Sequence, residues 1–222
     1  MTGQISASMM CSDLTHLKQT IQIFEEEGIE YLHIDVMDGE FVPNFGLGVD
    51  YIKGLREITD IPLDLHLMIR NPEYKLQWIG IRESDIVSIH YESTYQVQRA
   101  LDWLSPFGCK RFLAINPATP IYVLEEVLDY IDGINLLMVN PGFAGQKIVA
   151  STIKKAGRLY KFLEERGKKD IVIEVDGNIT PENGNILKQY GAGIFVAGTS
   201  SVFQGDASQF AENINRLRDA LK

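Results

Sequence analysis

Tyr31-Leu32-His33-Ile34-Asp35-Val36-Met37-Asp38-Gly39 is the stretch whose reading decides the fold. Side chains of a strand alternate between two faces. Leu32, Ile34 and Val36 therefore share one face, and His33 and Asp35 share the other. A short run this apolar predicts a strand covered on both faces, the condition of a parallel sheet packed under helices. Its polar residues then point away from the helices, into the interior that the strands enclose.

Runs of the same kind recur along the chain, near 4–8, 31–36, 62–67, 85–90, 110–115, 133–139, 170–175 and 193–198. All but the first are rich in Val, Ile or Leu. Helical patterns lie between them. Leu17, Ile21 and Phe24 share one face. Ile153, Ala156, Tyr160 and Leu163 share another, and Phe210, Ile214, Leu217 and Leu221 form a third stripe. Asn71-Pro72, Thr119-Pro120 and Thr180-Pro181 each read as a cap residue followed by proline at a helix start. Strands alternating with helices imply a parallel sheet, either doubly wound or closed. Eight units spaced by about 28 residues favour a closed (β/α)8 barrel. The first strand is followed by no G-x-G-x-x-G, which a dinucleotide-binding sheet would carry. No linker or shift in composition divides residues 1–222, so one catalytic barrel domain is expected.

Bulk properties exclude several classes. The chain has 222 residues, 45% of them hydrophobic, enough for a full core and too many for a disordered protein. A net charge of −9 with no basic block argues against nucleic acid and against an anionic membrane surface. It leaves room for a small anionic substrate, because helix N-termini bind phosphate without lysine. No apolar run reaches the roughly 20 residues of a membrane helix. Met1-Thr2-Gly3-Gln4 lacks the features of a signal peptide, so a cytoplasmic location is expected. Cys11 and Cys109 have no metal or redox spacing and read as buried free thiols.

Barrel chemistry sits at the C-terminal ends of the strands. There, His33 and Asp35 share the inward parity with Asp64 and His66 of the third strand and with Glu174 and Asp176 of the seventh. Two imidazoles with two carboxylates make a mixed N/O ligand set, which suits Zn, Fe, Mn or Co better than Ca or Mg. The bland alternative is a buried polar cluster that ties the barrel mouth together. His16 reads as a surface residue. His90 and Glu92 read as a satisfied polar contact, with support of the site as the other option. Asn140-Pro141-Gly142-Phe143-Ala144-Gly145-Gln146 is either a mobile lid or an ordinary Pro-Gly turn. Gly177-Asn178 and Gly198-Thr199-Ser200 follow strands seven and eight, where many barrels bind phosphate through backbone N–H groups.

These segments resemble the ribulose-phosphate 3-epimerase family. The match is carried by His33-Ile34-Asp35-Val36-Met37-Asp38-Gly39 with Phe41-Val42-Pro43-Asn44, by Asp64-Leu65-His66-Leu67-Met68, by Asn116-Pro117-Ala118-Thr119-Pro120, by Asn140-Pro141-Gly142-Phe143 with Gly145-Gln146, and by Glu174-Val175-Asp176-Gly177. The resemblance implies one divalent metal held by His33, Asp35, His66 and Asp176. It implies that Asp35 and Asp176 are also the acid and base of a carbon 3 epimerisation. Ser8, Met37, His66 and Met68 would lie against a phosphorylated ketose. The backbone of Gly142, Phe143, Ala144, Gly145, Gly177, Asn178, Gly198, Thr199 and Ser200 would hold its phosphate. A homodimer or homohexamer would follow from the same likeness.

Several positions depart from the ribulose-phosphate pattern. Ala7 stands for a proline, Ala144 for a glycine, and Asp176-Gly177-Asn178 for Asp-Gly-Gly. Met9-Met10-Cys11-Ser12-Asp13, Gly142-Phe143-Ala144-Gly145 and Gly198-Thr199-Ser200 look more like the allulose-6-phosphate 3-epimerase branch. The expected reaction is therefore D-allulose 6-phosphate to D-fructose 6-phosphate, with D-ribulose 5-phosphate to D-xylulose 5-phosphate as the alternative. A lyase or decarboxylase of this barrel type would want a lysine among the strand-end carboxylates, and strands 2, 3 and 7 offer none. A non-catalytic phosphate-binding barrel has no reason to keep both Asp and both His on the inward parity.

Overall fold

The computed structural model describes residues 2–222. Eight strands close into one all-parallel barrel in chain order. They are β1 (Gln4–Ser8), β2 (Tyr31–Met37), β3 (Leu63–Met68), β4 (Ile86–His90), β5 (Lys110–Ile115), β6 (Gly133–Leu137), β7 (Val172–Asp176) and β8 (Ala192–Ala197). Helices α1 (Leu17–Glu26), α2 (Val49–Arg56), α3 (Val97–Asp102), α4 (Ala150–Glu165), α5 (Pro181–Gln189) and α6 (Phe210–Ala220) cover its outside. This is the (β/α)8 barrel that the alternation of apolar runs predicts.

Period-2 alternation sorts the core into two parts. Outward residues such as Leu32, Ile34, Leu65, Leu67, Ile134 and Val175 are buried against the helices. Inward residues at the N-terminal end, Tyr31, Ile86, Phe112 and Ile194, form a small apolar plug. Gly133 makes the plug possible, because a Cβ there would lie 2.2 Å from the Phe112 ring. Apolar residues thus seal one end of the barrel, and the polar inward residues collect toward the other.

Two of the eight connections are not α-helical. After β3 the chain makes two single 3-10 turns, Pro72–Tyr74 and Leu76–Trp78. After β5 it makes a 3-10 stretch, Ile121–Tyr130. Ile121, Leu124 and Val127 recur at i, i+3 and i+6, which lines up on a helix of three residues per turn. Of the three cap-and-proline starts, only Thr180-Pro181 caps with its side chain, accepting from Asn183 N at 3.1 Å. Asn71 is in the left-handed region at φ 46° and makes no side-chain cap. The Thr119 hydroxyl donates to Glu92 instead, and Pro120 takes the cap position. The α4 stripe also differs from its expected course. Leu159 is buried on the core side, and Tyr160 lies half-exposed over Gly191. The stripes of α1 and α6 lie as expected, with Ile21, Phe24, Phe210, Ile214, Leu217 and Leu221 buried. No helix among the described residues is long and apolar enough to cross a membrane.

Candidate metal centre and phosphate pocket

Parallel pairing of β2 with β3 sets His33 opposite Asp64, Asp35 opposite His66 and Met37 opposite Met68. All six point inward at the C-terminal half of the barrel. Asp176 ends β7 on the same level. The four expected ligands converge on one point, through His33 Nε2, Asp35 Oδ1, His66 Nδ1 and Asp176 Oδ2. His66 lies 3.3 Å from Asp35 and 3.4 Å from Asp176, and His33 lies 3.4 Å and 3.7 Å from the same two oxygens. Four donors placed tetrahedrally at ~2.1 Å from a centre are about 3.4 Å apart, so the set fits a metal such as zinc. His33 Nε2 is buried without a hydrogen-bond partner, which is the state of a ligand atom turned toward an ion. This cluster can hold a metal.

The two imidazoles present different nitrogens, and each has an outer partner. His33 Nδ1 lies 2.6 Å from Asp64 Oδ2, which also accepts from Ser6 Oγ at 2.8 Å. His66 Nε2 lies 2.8 Å from His90 Nε2, whose Nδ1 lies 3.3 Å from Glu92 Oε2. His90 and Glu92 are therefore in contact with the ligand set, not merely a self-satisfied pair. The inward parity of Ser88 and His90 on β4 was the available signal. Glu174 points into the barrel below the four ligands with neither carboxylate oxygen partnered.

Electrostatics separates the carboxylates. Burial would raise the Asp35 pKa, but His33 and His66 outweigh it and hold the group well below the usual carboxylate range. Asp176 is raised, because burial is only partly offset by the same histidines. Burial and the charge of Asp64 push Glu174 well up. For His33, burial is outweighed by Asp64 and Asp35, and its pKa rises. Burial pushes His90 down to about 4. Two carboxylates in one mouth with opposed pKa shifts are suited to opposite proton-transfer roles.

A pocket opens directly above this cluster. Asp35, His66 and Asp176 form its floor, and His33 lies beneath, fully buried. Ser8 donates to Asp35 Oδ2 at 3.2 Å. Met10, Met37 and Met68 form an apolar wall, with Val42 and Phe41 packed against it. All of the expected substrate-facing residues line this pocket: Ser8, Met37, His66, Met68, Gly142, Phe143, Ala144, Gly145, Gly177, Asn178, Gly198, Thr199 and Ser200. Asn140, Pro141 and Gln146 of the segment read as a lid or a turn line it too, and Met10, Cys11 and Ile179 join them without having been expected to face a substrate. Cys11 is half-buried with Sγ 3.8 Å from Ser8 Oγ, so its reading as a buried thiol is corrected; Cys109 is buried as expected. His16 is exposed, in the 3-10 turn before α1.

The loops above the pocket are tied together. Asn44 Nδ2 donates to the Gly142 carbonyl at 2.7 Å, and Gln146 Nε2 closes its own loop onto the Asn140 and Phe143 carbonyls at 2.6 and 2.8 Å. Gly177 is at φ +112°, and a Cβ there would lie 2.5 Å from Val139. Asn178 occupies the left-handed region at φ 55°. Its Nδ2 donates to Ser200 Oγ at 2.9 Å, and its Oδ1 accepts from Ile148 N at 3.4 Å, so one side chain joins the loops after β6, β7 and β8.

Fold and site together define a (β/α)8 barrel whose mouth carries an N/O cluster able to hold a divalent metal, beside pocket-lining loops that carry Gly142, Gly145, Gly177 and Gly198. The model of the ribulose-phosphate 3 epimerase family matches residues 4–203, and the chain belongs to that family, whose members are isomerases of carbohydrate phosphates. Ribulose-phosphate 3-epimerase of Bacillus subtilis (strain 168) is 36% identical over 211 residues, 95% of this chain and 97% of the relative. The chloroplastic ribulose-5-phosphate-3-epimerase of Arabidopsis thaliana is 38% identical over 216 residues, 96% of this chain and 75% of the relative. Among solved structures, 3-hexulose-6-phosphate synthase from Salmonella typhimurium superposes with a TM-score of 0.72 at 11% identity, covering 98% of both chains. KGPDC from Streptococcus mutans gives 0.70 at 10% identity, covering 100% of this chain and 98% of the other. At these identities the structural likeness concerns the fold alone.

Proposed function

We propose that this protein is a metal-dependent ketose-phosphate 3-epimerase, with D-allulose 6-phosphate as its substrate and D-fructose 6-phosphate as the product. The observation that carries the reaction type is the convergence of Asp35 and Asp176, from strands β2 and β7, on one point beneath the pocket. His33, Asp35, His66 and Asp176 would hold a divalent ion, with Zn, Fe, Mn or Co the metals suited to the set. When bound, the ion supplies Lewis-acid stabilisation of the negative charge that develops on the substrate's carbonyl oxygen.

The side chains supply the proton movements. Inversion at carbon 3 needs a proton taken from one face and another delivered to the opposite face. Carboxylates from β2 and β7 can flank the two faces of a substrate held between them, one as base and the other as acid, with the roles exchanged in the reverse direction. Ser8 Oγ, donating to Asp35 Oδ2, fixes the orientation of that carboxylate. Met37 and Met68 exclude water from the reacting carbon. Backbone N–H groups of Gly142–Gly145, Gly177, Asn178 and Gly198–Ser200 hold the phosphate away from the metal, so the sugar spans the mouth in one direction.

The six-carbon substrate is supported by the residues at the phosphate end, Ala144, Asn178 and Gly198-Thr199-Ser200, with Met10-Cys11 beside them. The five-carbon alternative, D-ribulose 5-phosphate, is supported by the names of the relatives. One carbon unit is worth only about 1–3 kcal/mol of discrimination. Comparing kcat/KM on the two sugars in the same metal-loaded preparation tests the choice. A preference for ribulose 5-phosphate of tenfold or more refutes the six-carbon reading. Chelation should abolish turnover and a transition metal restore it; full activity after verified metal removal refutes the metal's role.

A further inference from the structure

His90 ends β4 fully buried, with the Phe41 ring 4.7 Å from its own on one side and His66 on the other. The His66 and His90 ring centroids are 5.0 Å apart with planes inclined by only 23°. With the Nε2 atoms 2.8 Å apart, the rings meet end to end rather than face to face. On the far side of His90, Nδ1 lies 3.3 Å from Glu92 Oε2. The other oxygen of Glu92 accepts from Asn116 N at 2.9 Å and from the Thr119 hydroxyl.

An ionised carboxylate only accepts, so the His90 proton sits on Nδ1 and its Nε2 carries a lone pair. One of the two touching nitrogens must donate, and that falls to His66 Nε2. A neutral imidazole has a single N–H, so His66 Nδ1 is left as the lone-pair nitrogen. That atom is the one facing Asp35 and Asp176. We propose that His90 and Glu92 are positioning residues, a two-member relay that holds His66 in its Nε2–H tautomer and aims Nδ1 at the metal point. Asp64 does the equivalent for His33 in one step, through the opposite ring nitrogen. Outer partners of this kind set both the tautomer and the basicity of a metal-binding histidine. Glu92 also anchors the relay to the loop after β5, whose Asn116 and Pro117 carbonyls are held by the buried Lys155 Nζ at 2.7 and 3.2 Å. The ligand geometry is thereby coupled to β4, to that loop and to α4. The proposal rests on the reading of the four-residue cluster as a metal site and is independent of which sugar is used.

Zinc-loaded protein with 15N-labelled histidine tests it directly. Wild type should show His66 bound through Nδ1, protonated at Nε2, and coupled across the hydrogen bond to His90 Nε2. Glu92→Gln places an amide where two sets of donors need a carboxylate, and His90→Ala removes the acceptor. Both should weaken zinc binding about 10–100-fold in chelator competition. His90→Gln, whose amide oxygen can accept from His66 Nε2, should recover most of the loss. A structural role alone would leave the His66 nitrogen shifts unchanged in folded Glu92→Gln protein. Zinc on His66 Nε2 in wild type overturns the proposal, as does zinc affinity within threefold of wild type in folded Glu92→Gln. If His90→Ala fails to fold, the wild-type spectrum and Glu92→Gln still decide. Wild type that binds no zinc at all overturns the metal reading together with the relay, a result distinct from both of these.

Discussion

Replacing Asp176 by Asn separates what this carboxylate does for the fold from what it does for the chemistry. The amide keeps the shape, and the nearest partners of the carboxylate are loose: His66 Nδ1 at 3.4 Å and His33 Nε2 at 3.7 Å. Burial raises its pKa, against the lowering effect of the two histidines. An acid whose folded pKa lies above its unfolded one binds more protons when folded, so its contribution to stability falls as pH rises through that range. At neutral pH the ionised group therefore costs stability, and the amide removes that cost. Metal-free Asp176→Asn protein should be at least as stable as wild type in urea. Catalytically, the loss of one positioned proton carrier is worth ~10²–10⁴ in rate. At 1.36 kcal/mol per tenfold this is about 3–5 kcal/mol, and the loss of one of the four proposed metal ligands adds to it. Turnover and incorporation of solvent deuterium at carbon 3, both followed by NMR, should fall by at least about 10³. Deuterium exchange within tenfold of wild type would refute the proton-transfer role. A stability loss of several kcal/mol would refute the account of Asp176 as a poorly partnered, strained charge.

Asp35→Asn should differ, since Asp35 accepts from Ser8 and lies against both histidines; it should lose stability as well as turnover, and equal stabilities for the two variants would contradict the opposed pKa shifts. Asp38 is held at about 2, where burial is outweighed by N–H donors from Phe41, Arg70 and Glu40 and by Lys75. Its folded pKa is depressed, so its contribution is present above about pH 4 and lost as pH falls toward 2, and Asp38→Asn should flatten stability against pH in that window alone. Gly177→Ala sets a Cβ 2.5 Å from Val139 at a positive φ and should lower stability by about 1–3 kcal/mol with a rise in KM; an unchanged urea midpoint would refute the geometry of that loop. Asn178→Gly relieves a left-handed φ and removes the tie to Ser200, so stability should hold while the ratio of kcat/KM for the six- and five-carbon sugars shifts about tenfold. A constant ratio would exclude Asn178 from substrate choice.

What could be read from the sequence depended on how local the signal was. Strand parity is local, since neighbouring residues alternate faces whatever the rest of the chain does, and it placed His33, Asp35, His66 and Asp176 inside the barrel. The 3-10 stretch Ile121–Tyr130 escaped because apolar spacing of three is compatible with either helix type until packing chooses. Thr119 escaped as well. A threonine before proline caps a helix only where its oxygen faces the N–H groups of the first turn, and the Thr119 hydroxyl is turned to Glu92, 27 positions away in the chain. The contact between His66 and His90 spans 24 positions and depends on how β3 lies against β4.

Register is the deeper reason that the site was only partly legible. Parity survives a slip of two residues between parallel strands, because every side chain returns to its own face. If β3 moved by two against β2, the apolar residues of both strands would still meet the helices, and the core would register little difference. The ligand set would not survive, because Asp35 would then face Asp64 or Met68 in place of His66. The hydrophobic pattern therefore specifies the barrel without specifying the candidate metal centre. What distinguishes the observed register is its polar pairing: Asp64 against the Nδ1 of His33, and Asp35 against His66, each a buried charge beside a partner. A slipped barrel would leave the two carboxylates buried beside one another, or Asp35 beside Met68 and Asp64 beside Tyr31, at a cost of several kcal/mol for each unpaired charge. The same side chains that assemble the site are the ones that select the strand alignment on which it depends.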